Sequence, residues 1–143
     1  MLQVPFIRDH KDLVITRLAK RNIDASEIIN DVILFDEDRR AIQAQLDHIL
    51  SESNAISKQI GVLYKSGDID KANALKAETK ELKETSKILT EKLNTQVEAL
   101  NELLYKIPNI PHESVPNGTT EEDNQEIFTA GDIPVLHDGA LPH

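Results

Sequence analysis

The fold is decided by residues 55–79, AISKQIGVLYKSGDIDKANALKAET, in which apolar side chains recur three and four residues apart on either side of Ser66-Gly67-Asp68. Gly67 can take the left-handed backbone conformation that a tight reversal between two helices needs, and Asp68 can cap the helix that follows. The stretch therefore predicts two helices that fold back on each other at this turn.

The same spacing continues outward from the turn along both limbs of the hairpin. Of the eleven positions that it marks in the first limb, nine are apolar, and the exceptions are Arg39 and Ser53. A repeat of 3.5 residues that persists for more than four heptads is typical of a coiled coil. The positions of this predicted seam are residues 28, 32, 35, 39, 42, 46, 49, 53, 56, 60 and 63 in the first limb and 72, 75, 79, 82, 86, 89, 93, 96, 100 and 103 in the second.

The two limbs also predict their own register. An antiparallel hairpin brings together residues whose numbers add to a constant, and a sum of 135 makes large residues face small ones, as Ile56 faces Thr79. The same sum places Arg39 and Gln96 in one layer. Because a buried polar group costs least when another polar group shares its layer, this register favours a hairpin within one chain.

The helix boundaries follow from caps and prolines. Asp24 and Glu27 resemble a capping box, so the first long helix is predicted to run from about Ala25 to about Lys65. The second is predicted to end near Lys106, because prolines follow at positions 108, 111 and 116.

The residues before and after the hairpin are predicted to be short additional elements and not part of the coiled coil. A short helix capped by Asp9 should precede it, and the segment after it should be extended, with a possible short strand at Glu126 to Thr129. We therefore expect an all-α fold: a long antiparallel two-helix coiled-coil hairpin with a short N-terminal helix and an extended Pro-rich, acidic C-terminal segment.

Composition limits the other possibilities. The 143 residues include three Phe, two Tyr and no Trp, which suits an elongated shape better than a large globular core. The absence of cysteine rules out disulfides and thiolate ligation of zinc. No apolar run approaches the roughly 20 residues of a membrane span, so we expect a soluble, cytoplasmic protein without a membrane partner.

The net charge of −9 is unevenly distributed along the chain. Residues 107–143 contain seven acids and no Lys or Arg, so residues 1–106 carry only the remaining −2. Residues 58–92 contain eight lysines and six acids. The turn end of the hairpin is therefore its basic end.

Five short motifs follow one another along the chain: DRR at 38–40, NAISKQIG at 54–61, LKAE at 75–78, the Pro-rich run IPNIPHESVP at 107–116 and EDN at 122–124. Together they resemble the N-terminal region of bacterial-type seryl-tRNA synthetases. The resemblance covers essentially the whole chain, and the Pro-rich run is its most specific part.

This resemblance implies the arm of a class II aminoacyl-tRNA synthetase, which attaches serine to its tRNA with ATP. In that family a helical arm projects from a dimeric catalytic body and contacts the long variable arm and elbow of serine tRNA. We expect residues 1–106 to be this tRNA-binding arm and residues 107–143 to be a linker to a catalytic domain that the chain lacks. ATP and Mg would belong to that domain, and the arm itself would carry no cofactor and no catalytic residue.

The heptad frame indicates where RNA would lie. Four lysines of the second limb occupy e and b positions and so form one stripe. The matching positions of the first limb are uncharged, with Gly61 permitting close approach and Tyr64 offering a stacking or sugar contact. Further lysines add charge around the turn. The candidate nucleic-acid-binding residues are Asn54, Ser57, Lys58, Gly61, Tyr64, Lys65, Lys71, Lys76, Lys80, Lys83 and Lys87.

Two other interpretations remain open. The lysines can be an ordinary solvated face, since Lys80–Glu84 and Lys87–Glu91 have the i,i+4 spacing of helix ion pairs. Alternatively the hairpin can be a coiled-coil module for protein partners. Such a module should expose an apolar flank, whereas the apolar residues outside the seam are scattered over different faces: Val62, Ile88 and Val97.

Metal sites are not indicated. The acidic run at 121–124 lacks the alternating ligands of a calcium loop. The histidines show no metal-ligand spacing: His10, His48, His112, His137 and His143.

Overall fold

The computed structural model describes residues 2–132 and 134–140. Its two long helices contain 41 and 38 residues and pack against each other, which confirms the predicted helical hairpin. A 3₁₀ turn at Glu121–Asp123 follows in the C-terminal segment. The helices are, in order, α1 Val4–Asp9, α2 Lys11–Ala19, α3 Ser26–Ser66 and α4 Ile69–Lys106.

The reversal between α3 and α4 is made as predicted. Gly67 has a φ of 81°, in the left-handed region, and the Asp68 backbone N–H donates to the Leu63 carbonyl at 3.0 Å. The Asp68 carboxylate accepts a hydrogen bond from the Lys71 backbone N–H at 3.5 Å. The turn therefore satisfies polar groups that the two helix ends would otherwise leave unpaired.

α3 and α4 pack along the whole predicted seam. Every seam position is buried or half-buried, and between residues 44 and 98 the only other residue that is not exposed is Asp68, at the turn. Leu46 and Leu89, which the register places opposite each other, are both buried. The heptad pattern therefore predicts which side chains hold the hairpin together.

The polar layer of the seam differs from its predicted form. Gln96 Nε2 donates to the Phe35 carbonyl at 3.4 Å, one turn before Arg39, the residue that the predicted register places opposite Gln96. Arg39 instead donates from Nη2 to Asp36 Oδ1 at 2.7 Å, because Asp36 lies three residues earlier on the same helix. Asp36 is only 2% exposed, and Arg8 of α1 also donates to it at 3.1 Å. Arg39 therefore belongs to an ion cluster that links α1 to α3, whereas Gln96 bonds to the backbone of α3.

The largest hydrophobic core lies at the base of the hairpin, where α1 and α2 pack against α3 and α4. Ile107, the first residue of the predicted linker, belongs to this core. The buried members of the core are Ile7, Val14, Leu18, Ala25, Ile29, Val32, Leu100, Leu104 and Ile107.

The first part of the predicted linker is held against the end of α2. Lys20 Nζ donates to the carbonyls of Glu113 and Val115 at 2.8 and 2.9 Å. Arg21 Nη1 donates to the Asn109 carbonyl at 3.3 Å. The lysine and arginine side chains thus give these backbone carbonyls the hydrogen bonds that a neighbouring strand would otherwise supply. Residues 107–116 are held in place in this way although they have no regular secondary structure.

Three local predictions are wrong. The predicted N-terminal helix is α2, but its cap position is His10, because Asp9 is the last residue of the additional helix α1. Asp24 and Glu27 do not form a capping box: Ala25 is at the cap position of α3, and Asp24 accepts from the Ser26 backbone N–H at 3.0 Å. The predicted start of the helix near Ala25 is nevertheless confirmed. Residues 126–129 are not a strand, because within the described residues no neighbouring strand is present to pair with them.

Candidate nucleic-acid interface

One flank of the hairpin combines side chains from both long helices. In the heptad frame, positions a and d form the seam, e and b lie to one side of it, g and c to the other, and f points outward. The e and b side near the turn is called the lysine flank here. Its eight predicted residues are all exposed: Asn54, Ser57, Gly61 and Tyr64 from α3 and Lys76, Lys80, Lys83 and Lys87 from α4.

A shallow groove shows that the two helices contribute to one surface. It has a volume of about 300 Å³, and the seam residues Ile60 and Thr79 form part of its lining. Ser57 of α3 lines one side of it, and three lysines of α4 line the other: Lys76, Lys80 and Lys83. The groove therefore has a cationic wall and an uncharged wall, as the heptad frame predicts.

Tyr64 is held between the helices at the turn end of the lysine flank. Its hydroxyl donates to Asn73 Oδ1 at 3.1 Å, and Lys76 Nζ lies 5.6 Å from the centre of its ring. The second contact is a cation–π interaction. Asn73 is absent from the predicted site, although its b position, seven residues before Lys80, is the signal that identifies it.

Three predicted lysines lie away from the lysine flank. Lys58 and Lys65 occupy f positions on the outer face of α3, and Lys71 occupies a g position on the opposite side of the seam. Lys71 Nζ also pairs with Asp68 Oδ2 at 2.7 Å. This ion pair lowers the pKa of the Asp68 carboxyl and raises the pKa of the Lys71 ammonium, so Lys71 is already engaged in the turn.

Within the described part of the chain, the four lysines of the lysine flank have no carboxylate partner. Among residues 2–132, no carboxylate lies within 4.0 Å of the ammonium groups of Lys76, Lys80, Lys83 or Lys87. The pairs expected for an ordinary solvated face, such as Lys80 with Glu84, are therefore not formed. At 1.5 Å per residue, the stripe extends about 16 Å along α4. Its positive charge remains available to an anionic partner.

The described residues contain neither a membrane-spanning helix nor a cluster of metal-ligating side chains. In the part of the chain that the structure describes, no helix is both long and apolar enough to cross a membrane. Residues 2–132 and 134–140 contain no group of three or more His, Asp or Glu side chains arranged to hold a metal ion. His143 lies outside the described residues.

The fold and the charge distribution define a class, the antiparallel two-helix coiled-coil arms with one cationic flank. Comparison with known proteins narrows it, because the family model of the seryl-tRNA synthetase N-terminal domain matches residues 1–111. The chain belongs to this family.

Curated relatives and a solved structure agree with the family assignment. The chain is 37% identical to the serine–tRNA ligase of Thermotoga neapolitana and 32% identical to that of Salinibacter ruber; each match covers 100% of this chain and 33% of the relative. The crystal structure of seryl-tRNA synthetase from Pyrococcus horikoshii complexed with ATP matches with a TM-score of 0.75 and 27% identity, covering 86% of this chain and 27% of that one. The chain thus spans about a third of the length of these relatives.

Proposed function

We propose that this chain is the tRNA-binding arm of a serine–tRNA ligase and that its lysine flank lies along the phosphate backbone of serine tRNA. The observation that carries the proposal is the row of four lysines that have no carboxylate partner among the described residues. The family match supports tRNA as the partner, since the matching relatives are serine–tRNA ligases.

The flank is suited to recognising the shape of RNA rather than its sequence. Lysines neutralise phosphates, but they do not read paired bases in the deep and narrow major groove of A-form RNA. A straight cationic stripe about 16 Å long fits a regular double-stranded element. We therefore propose that the arm contacts the long variable arm and the elbow of serine tRNA, where such helical backbone is presented.

The rest of the proposal concerns the longer protein that the relatives represent. Residues 1–106 form the arm, and residues 107–143 connect it to a catalytic domain. That domain attaches serine to tRNA with ATP and Mg in the cytoplasm and forms a homodimer. The contacts of Lys20 with the carbonyls of Glu113 and Val115 support a fixed position for the first part of this connecting segment.

Charge reversal on the flank tests this proposal. Lys80→Glu with Lys83→Glu should weaken the binding of serine tRNA at least tenfold, because two phosphate contacts become repulsive. The measurement is a titration of the 143-residue chain with serine tRNA at low salt. Circular dichroism should show unchanged helicity, since both side chains are exposed.

A matched control shows whether the loss of binding depends on where the charge is reversed or only on the change in net charge. Lys92→Glu with Lys106→Glu makes the same change of charge at exposed g positions on the opposite side of the seam. We expect this variant to bind serine tRNA within about threefold of the original chain. Equal losses in the two double variants would mean that the lysine flank is not the RNA site.

The alternative function, a coiled-coil module for protein partners, is not favoured by these comparisons. Its structural requirement is a continuous apolar flank. The exposed apolar residues of the arm lie at separate places, with Val62 near the turn and Ile88 further along α4, and each is more than half exposed.

A further inference from the structure

Gly61 occupies a helical position for which the chain itself supplies no reason. It lies inside α3, two turns from the turn residue Gly67, and its backbone is helical without a positive φ. A Cβ atom added at Gly61 would meet no heavy atom within 4 Å. Glycine inside a helix is destabilising relative to alanine, so packing within the protein does not account for the missing side chain.

A side chain that contacts the other helix lies about one helical turn from Gly61. Tyr64 lies three residues later on the same flank, 43% exposed, with its hydroxyl bound to Asn73 and the Lys76 ammonium near its ring. These contacts cross from α3 to α4. An aromatic ring held in this way loses little conformational freedom when a ligand stacks on it.

We propose that Gly61, Tyr64 and Asn73 form a notch that holds one unpaired nucleotide of the bound RNA. The base stacks on the exposed surface of the Tyr64 ring, and the sugar and phosphate pass over Gly61 toward the lysines of α4. This inference rests on the proposed function and adds a contact of a different chemical kind to the phosphate contacts of the lysine flank.

An unpaired nucleotide is the ligand that these side chains fit. Bases in a duplex are stacked on each other and do not present their faces, whereas an unstacked base can lie on an aromatic side chain. Every base has a π-face, so the contact tolerates any sequence. The Asn73 carboxamide beside the ring adds a hydrogen-bonding group for the edge of the base or for the ribose 2′-hydroxyl.

Two substitutions test the notch, and the first of them should have opposite effects on stability and on binding. Gly61→Ala should raise the thermal unfolding midpoint of the chain, because alanine is the better helix former and meets open space. The same change should weaken serine tRNA binding at least threefold, since the added methyl group occupies the path of the sugar–phosphate chain. Tyr64→Leu should weaken binding between about 5-fold and 150-fold, the range expected for one base–aromatic stack.

Two further tyrosine variants serve as controls. Tyr64→Phe keeps the ring and loses only the hydrogen bond to Asn73, so it should bind within about threefold of the original chain. Tyr105→Leu removes the chain's other tyrosine, which is 77% exposed near the base of α4, and should leave binding unchanged. In a Tyr105→Phe background, the ring protons of Tyr64 should move upfield in NMR spectra when serine tRNA is added, owing to the ring current of a stacked base.

The outcomes separate this inference from the proposal on which it rests. The notch is refuted if Gly61→Ala and Tyr64→Leu bind serine tRNA like the original chain while Lys80→Glu with Lys83→Glu loses binding; the arm proposal then stands. If the lysine variant also binds normally, or the original chain does not bind at low salt, both are refuted.

Discussion

At the residue scale, Asp36 joins two helices at the base of the hairpin through a buried ion cluster. Its side chain is 3% exposed and lies between Arg8 of α1 and Arg39 of α3, each about one third exposed. A carboxylate removed from water to this extent is tolerated because both of its oxygens accept charge-assisted hydrogen bonds. This one side chain therefore links the N-terminal helix to the hairpin.

Replacing Asp36 should destabilise the fold. In Asp36→Ala two arginines lose their common counter-charge, and we expect the free energy of unfolding to fall by about 2–3 kcal/mol, at the low end for buried ion pairs because the arginines are partly solvated. Urea unfolding followed by circular dichroism measures this change. Arg40→Ala, at an exposed neighbouring position, should cost less than about 0.5 kcal/mol. Similar losses in both variants would contradict the role of Asp36.

The Asp68–Lys71 pair makes the turn sensitive to acid. The Lys71 ammonium lowers the pKa of Asp68 from its ordinary 3.8. A carboxyl with a depressed folded-state pKa stabilises the fold above its unfolded value, and this contribution is lost as the pH falls below 3.8 and through the folded value. An NMR titration of the Asp68 carboxyl should therefore give a midpoint below 3.8.

Lys71→Gln is the control for that titration. It removes the ammonium, whose hydrogen bond is the largest cause of the lowered pKa of Asp68, so the midpoint should be higher than in the original chain. A midpoint in the original chain at or above the ordinary value would show that the ion pair does not form in solution.

At the scale of the elements, Gly61 in α3 and Gly67 in the turn after it have different backbone conformations. Gly67 has a φ of 81°, which an L-amino acid with a side chain rarely adopts, whereas Gly61 is helical. Gly67→Ala should therefore destabilise the hairpin by about 1 kcal/mol, and Gly61→Ala should stabilise it by about 0.5–1 kcal/mol. Thermal unfolding of the two variants measures both changes. Stabilisation by Gly67→Ala would contradict the left-handed turn, and destabilisation by Gly61→Ala would contradict an open helical position at Gly61.

The long helices could be predicted from the sequence because their packing is periodic. Every seam position identified by the heptad spacing is buried or half-buried, and the turn at Gly67 lies where the break in the pattern places it. The helix ends at Ser66 and Lys106 follow from local turn and proline chemistry. Periodic burial and local caps are properties that a sequence displays directly.

The base of the arm could not be predicted in the same way, because its contacts are neither periodic nor local. Arg8 and Asp36 are 28 residues apart, and Lys20 meets the Glu113 carbonyl across 93 residues. Asp36 occupies an e position beside the seam, so the heptad pattern assigns it to the surface. Only the docking of α1 makes it a buried residue.

The heptad frame predicts one flank for eight of the eleven candidate residues. All eight are exposed, and four of them line one groove: Ser57, Lys76, Lys80 and Lys83. Nearness to the turn predicted site residues less well. It led us to include Lys71, which pairs with Asp68, and to omit Asn73, which bonds to Tyr64. Side-chain pairing across the seam is not visible in the spacing of one helix.

At the scale of the whole molecule, the arm has two parts: a base, where α1 and α2 pack against the hairpin, and the rest of the hairpin, which extends to the turn at Gly67. The base contains a core of nine buried residues. Beyond the base, the two helices are held together only by the side chains of the seam, one or two in each layer. A long rod of this kind has few apolar contacts per residue, and most of its surface faces solvent. Such a shape presents an extended flank to a large partner at a distance from the base.

The most direct test of the central claim is a titration of the 143-residue chain with serine tRNA at several salt concentrations, with a tRNA that lacks the long variable arm as the comparison. If about four phosphates are neutralised by the lysine flank, the logarithm of the binding constant should fall with the logarithm of the salt concentration with a slope near −3 to −4. Serine tRNA should bind more tightly than the comparison tRNA. Equal affinity for the two tRNAs, or a slope near zero, would contradict the account.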